Sequence, residues 1–181
     1  KEDILSLAKA ISEIDSYNNI TQFIISFVNS KIGAERGAIF FLIKTDQGVD
    51  IQLRASKNIT PDQIDDISFS STIDIILKVA ETGKPLILGM DSDDGPQGSP
   101  NNLIRSRLFF PIKLRNRIIG VFYHDNRLLP NIFKESDFPF LNYAAVWAAF
   151  ALENITLHDE NQKLIKRIYE ENIYYDENNL H

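Results

Sequence analysis

The residues best suited to chemistry gather in one place. Tyr123, His124, Asp125, Asn126 and Arg127 come directly after the apolar run Ile118-Ile119-Gly120-Val121-Phe122. Such a cluster at a strand end is either a reaction centre or the polar latch that fixes the strand to the next element. Successive strand residues face opposite sides of a sheet, so one of Tyr123 and His124 faces any cavity. A reaction centre needs a nucleophile with its base, a carboxylate pair, a metal cluster or a phosphate loop. The sequence holds no G-x-S-x-G, G-x-x-x-x-G-K, G-x-G-x-x-G or H-E-x-x-H. Its three histidines, at 124, 158 and 181, share no spacing suited to one metal. The run Asp91-Ser92-Asp93-Asp94-Gly95 is close to a calcium loop, but its glycine comes one residue early and Asn102 stands where a bidentate acid is needed. It reads as a solvated acidic loop. No catalytic residue, no metal site and no enzyme activity are expected.

Composition narrows the remaining classes. A hydrophobic fraction of 44% and a charged fraction of 24% suit an ordinary globular chain. The net charge of −6, with no face rich in Lys and Arg, argues against direct nucleic-acid binding. No apolar run is long enough to span a membrane, and no signal-peptide pattern is present. The absence of cysteine removes disulfides, thiolate metal sites and thioether-linked cofactors. It fits a reducing compartment, and a cytoplasmic location is expected. The chain begins at Lys1 and its one methionine is Met90, so it reads as a piece of a longer protein.

The elements that must position these residues emerge from periodicity. Ile4, Leu5, Ala8, Ile11 and Ile14 repeat at helical spacing, as do Ile20, Phe23, Ile24, Phe27 and Val28 after a turn at 15–19. Residues 37–44 form a continuous apolar run, a strand buried on both faces. Residues 49–56 alternate, and the pair forms a hairpin across Thr45-Asp46-Gln47-Gly48. An irregular stretch with Pro61 leads to a helix capped by Ser71 or Thr72 and ended by Gly83 and Pro85. A short strand covers 85–88, and a polar, breaker-rich loop runs over 89–102. A second hairpin joins 106–114 to 118–125. The last helix starts near Ser136, as N-cap, with Asp137 and Pro139 in its first turn. Thirty-five residues of helix would reach roughly 50 Å at about 1.5 Å each, beyond a domain of this size. Its middle, 143–155, is apolar nearly all round and wants cover on more than one side.

Four stretches in this order resemble a GAF domain, the small-molecule-binding regulatory module of signalling proteins. They are GAERGAIFFL (33–42), ILKVAETGKPLIL (76–88), RLFFPIKLRNRIIGVFYHDNRL (107–128) and FKESDFPFLNYAAVWAAFALENITL (133–157). The resemblance covers roughly residues 3–160. It implies an α+β fold, an antiparallel sheet of about six strands with the terminal helices on one face and short helices and loops enclosing a pocket on the other. The family's Asn-Lys, Phe, Asp-Glu signature stands here as Asn126-Arg127, Phe133 and Asp137, with Phe138 in the place of the glutamate. It implies a structural brace in which Arg127 grips Asp137. Carry-over of the family's pocket lining implies Arg54, Phe69, Ser71, Met90, Asp91, Arg107, Phe109, Tyr123 and His124 as ligand-binding residues. The arginines would receive an anion and the aromatics would stack on a ring. No cofactor is expected: a bilin needs a cysteine, and no histidine stands out as a haem ligand. A branch of this fold reduces methionine sulfoxide with cysteines that this chain lacks.

Residues 1–160 therefore read as a sensory domain and 161–181 as a C-terminal signalling helix toward an absent output domain. The flavour of 170–179 resembles the linker before the ATPase in sigma-54-dependent transcription activators. Two readings stand side by side. In one, a small molecule shifts the terminal helices of a homodimer and the closing helix transmits the change. In the other, the core is filled and the domain only dimerises or binds other proteins.

Overall fold

Alternation and turn chemistry build two hairpins, and these two hairpins carry most of the sheet. The computed structural model describes residues 2–14, 16–89 and 104–178. The acidic loop, with Met90, Asp91 and the calcium-like run, lies outside the described residues. Strands β1 (Arg36–Thr45) and β2 (Gly48–Lys57) form the first hairpin. Strands β4 (Ser106–Leu114) and β5 (Arg117–Asn126) form the second, across Arg115 and Asn116. Both turn residues have positive φ, 48° and 64°, the twist that a two-residue hairpin loop requires. The short β3 (Leu86–Leu88) pairs with β4, and β1 pairs with β5. The sheet is antiparallel, ordered β2-β1-β5-β4-β3. Among the described residues it has five strands, where about six were expected.

Helices cover both faces. On one lie α1 (Glu2–Ser12), α2 (Tyr17–Ile32) and α5 (Phe138–Asn178), which bury Leu7, Ile24, Val28, Leu141, Ala148 and Leu152 against Ile39, Leu108, Ile112 and Phe122. The Ser16 hydroxyl accepts from the Asn19 N–H and starts α2, and Gly33 ends it at a φ of 73° that an L side chain rarely adopts. On the other face α3 (Pro61–Asp65), the 3-10 turn Ile67–Phe69 and α4 (Ser70–Thr82) close Ile64, Phe69, Ile76 and Val79 over Phe40, Phe109, Val121 and Tyr123. The stretch read as irregular holds α3. Thr60 and Gln63 cap each other's backbone N–H around Pro61, a signal visible in Thr60-Pro61-Asp62-Gln63.

The last helix opens differently from the expectation. A 3-10 turn at Glu135–Asp137 precedes α5, Ser136 lies inside it, and the Asp137 carboxylate accepts from the Lys134 N–H at 3.2 Å. Pro139 falls in the first turn of α5, where its missing N–H costs no bond. The small side chains of Ala144, Ala145, Ala148, Ala149 and Ala151 let the helix lie close on the sheet and α2. Its outer side leaves Tyr143, Val146 and Phe150 about half exposed, at 50%, 52% and 53%. At about 1.5 Å per residue, its 41 residues extend roughly 60 Å. Among the described residues the last buried one is Ile155, and no described helix is long and apolar enough to cross a membrane.

Candidate functional site

Register places a buried charged row across three strands on the α4 face. Asp125 on β5 stands opposite Arg36 on β1 and opposite Arg107 on β4. Asp125 is fully buried, and Arg36 and Arg107 are 7% and 2% exposed. Arg36 grips the carboxylate with a planar fork, Nε to Oδ1 at 2.8 Å and Nη2 to Oδ2 at 2.5 Å. The Tyr123 hydroxyl donates to the same Oδ2 at 2.5 Å. Burial works against the Arg36 charge more than any single partner favours it, yet the hydrogen bonds to Asp125 and the Asp125 charge, helped by Tyr123 and Glu35, together hold its pKa above the ordinary value. Burial, followed by the Asp125 charge, pushes the Tyr123 phenol well above its usual 10. The phenol therefore stays protonated and donates. Phe109 and Phe69 pack on the Tyr123 ring at 5.3 Å each, Phe69 edge-on. Four of the predicted ligand residues, Phe69, Arg107, Phe109 and Tyr123, thus converge, and Ser71 sits half-buried in the first turn of α4.

Two other predicted residues face away from this group. His124 lies on the terminal-helix side, with Phe122 at 5.9 Å, and its Nδ1 is 2.6 Å from Oδ1 of Asn29 on α2. A Cβ on Gly37 would fall 2.3 Å from that Oδ1 and 2.8 Å from the Nδ1, so only glycine leaves room for the bond. Full burial lowers the His124 pKa to about 3, which leaves the ring neutral at pH 7. It is a buried tie between β5 and α2. Arg54 is displaced by a bulge: Ile39 pairs with Ala55 and Phe40 with Leu53, so Arg54 is the extra residue. Its guanidinium lies over the Phe41 ring at 5.4 Å, on the helix face. Met90 and Asp91 lie outside the described residues.

The brace is built from other partners than the resemblance implied. Arg127 pairs with Glu35, donating from Nε at 3.0 Å and from its backbone N–H at 2.9 Å, and from Nη2 as well. The Arg127 hydrogen bond lowers the Glu35 pKa. Asp137 serves the Lys134 N–H, so the expected Arg127–Asp137 pair is not formed. Asn126 is the latch at the strand end. Its Oδ1 accepts from the Leu128 and Leu129 N–H groups at 2.8 Å, and its Nδ2 donates to the Gly33 carbonyl at 3.2 Å. Phe133 is buried among the helix-face residues. Glu35, Arg36 and Asn29 are the partners that sequence reasoning missed, and Asp125, noted in the cluster, was given no partner. For Arg36 and Asp125 the readable signal was a charge at the end of an otherwise apolar strand.

Among the described residues no group of three or more His, Asp or Glu side chains is placed to hold a metal ion. A cleft of about 250 Å³ opens on the helix side, where Pro85, Phe110, Pro111 and Lys113 meet Phe138 and Val146 of α5. It holds none of the predicted ligand residues.

No family model and no curated protein matches this sequence. Solved structures do. The chain is similar to the GAF domain of a phosphoenolpyruvate-protein phosphotransferase from Coxiella burnetii, with a TM-score of 0.69 at 13% identity over 88% of this chain and 95% of that one. The chain has the GAF fold. Part of a methyl-accepting chemotaxis protein matches at a TM-score of 0.58 and 18% identity, over 83% of this chain and 97% of that one. The free methionine-R-sulfoxide reductase of Neisseria meningitidis, solved with its substrate, matches at 0.59 and 15%, over 83% and 86%. Regulatory and catalytic proteins therefore share this GAF architecture, and the fold alone does not choose between them.

Proposed function

We propose that this chain is the regulatory module of a larger signalling protein, acting as a homodimer through its terminal helices. One observation carries the reading. Helix α5 packs on the sheet as far as Ile155 and then continues as exposed helix, with Leu157, Leu164 and Ile168 half exposed at 51%, 52% and 50%. A helix with apolar positions and nothing among the described residues to cover them suits a helix that pairs and transmits. The similarity to part of a chemotaxis protein and to the GAF domain of a phosphotransferase supports a regulatory role. Residues 170–179 resemble the linker before the ATPase of sigma-54-dependent activators, and histidine kinases and cyclases use similar helices, so the reading fits any of these outputs. Turnover is no part of the reading. A thiol-based sulfoxide reductase needs cysteine, and this chain has none.

A second input, a small molecule with an aromatic ring and an anionic group at the α4 face, would have to open the packing of Phe69, Phe109 and Tyr123, which are buried against one another beside Arg107. Native mass spectrometry of the purified 181-residue chain tests both arms at once. A dimer mass is expected, and a monomer at micromolar concentration overturns the reading. A retained small molecule supports the ligand arm; a bare dimer leaves dimerisation alone as the input.

A further inference from the structure

Helix α5 carries a seam that continues from the domain into the projecting half. Trp147, Phe150, Asn154, Leu157, Asn161, Leu164 and Ile168 succeed one another at alternating spacings of three and four, the heptad rhythm of a coiled coil. Tyr143 extends the line of Phe150, Leu157 and Leu164, and all four are about half exposed, at 50%, 53%, 51% and 52%. The other line reads Trp147, Asn154, Asn161 and Ile168, with amides at two consecutive heptads. Around Leu157 to Ile168 the surface off the seam is mostly polar or charged, from His158 to Arg167, with Ile165 flanking the seam.

The two asparagines decide direction and register. In a parallel, in-register pair each seam position meets its own counterpart, so Asn154 meets Asn154 and Asn161 meets Asn161. The amides can then bond to each other. In an antiparallel pair the two lines face each other, and each amide is buried against Phe150, Leu157 or Leu164. A buried amide without a partner is costly. A parallel slip of one heptad sets Asn161 against Ile168 and is penalised too. Asn154 spends one N–H on the Phe150 carbonyl at 2.8 Å, and its side chain has a second N–H and an oxygen to offer a partner amide.

We infer that two copies of this chain pair through α5 in parallel and in register, with Asn154 and Asn161 as the pins that fix the alignment. Both C-terminal ends then leave the domains side by side, and a shift of either helix is felt by any domain beyond them. This rests on the homodimer proposed above and adds direction, register and the residues that set them.

The chain has no cysteine, so single thiols report the arrangement cleanly. Phe150→Cys, Leu157→Cys and Leu164→Cys, each in the full chain, are expected to form disulfide-linked dimers with themselves under mild oxidation. When Phe150→Cys is mixed with mass-tagged Ile168→Cys, a member of the line that faces it in an antiparallel pair, self-links should exceed mixed links by roughly tenfold, the ratio that about 1.4 kcal/mol gives. Mixed links in excess mean an antiparallel pair and overturn the inference while the homodimer stands. A monomer overturns both. Leu164 lies beyond the buried core, so its variant is not confounded by misfolding. Pairing Leu157→Cys with tagged Leu164→Cys reads the register. Adding Asn161→Leu should let these mixed links appear, and an unchanged pattern removes the pinning role.

Discussion

His124 is held inside the protein in its neutral form, and that has a measurable consequence. Its pKa falls from 6.5 to about 3 because burial disfavours the imidazolium. Between these values the unfolded chain binds one more proton than the folded one, so stability is lost as pH falls below the unfolded value. Well inside that window one group contributes about 1.4 kcal/mol per pH unit. Glu35 acts with the same sign at lower pH. Its pKa is lowered from 4.5, and the stability it lends is lost as pH falls through the folded value. Urea unfolding of the wild type should show a steep loss of stability between about pH 6 and 4 that His124→Gln flattens. Equal slopes for the two proteins would show that the ring already titrates in the folded state. The sequence marked His124 as singular but gave no means to choose its face, because strand alternation fixes relative sides and leaves the absolute side to packing.

At the element scale the junction between β5 and α5 is tied by three separate devices. Asn126 holds the turn that leaves β5, Arg127 grips Glu35 just ahead of β1, and Asp137 closes the first turn before α5. A double-mutant cycle on Glu35→Ala and Arg127→Ala should give a coupling of about 0.2–1 kcal/mol, small because the pair is partly solvated. Arg127→Ala and Asp137→Ala should be additive in thermal unfolding. Coupling between those two would restore the pairing implied by the resemblance. The motif was legible as a set of residues, yet its wiring was not. Spacing in sequence says nothing about whether a guanidinium reaches a carboxylate ten residues on or one beside the neighbouring strand.

On the scale of the whole molecule, the packed domain and the projecting helix are separable. Among the described residues every buried core side chain lies at or before Ile155, so a chain ended after Thr156 should still unfold cooperatively. Its midpoint should not depend on concentration, while that of the full chain should rise with concentration as a dimer's does. Scanning calorimetry at two concentrations reads this directly, and equal behaviour of the two chains would place the association elsewhere.

Five strands, four of the five described α-helices and the two hairpin turns were readable from periodicity and turn residues, because those signals act over neighbours in sequence. Even α3 was written in its capping residues. Tertiary structure alone decided which charges share a row, since Arg36, Asp125 and Arg107 come from three strands and meet only through register. It also turned Arg54 to the helix face through a single bulged residue. Local sequence sets what each segment becomes; the burial of one side of the sheet against particular helices sets which side chains meet.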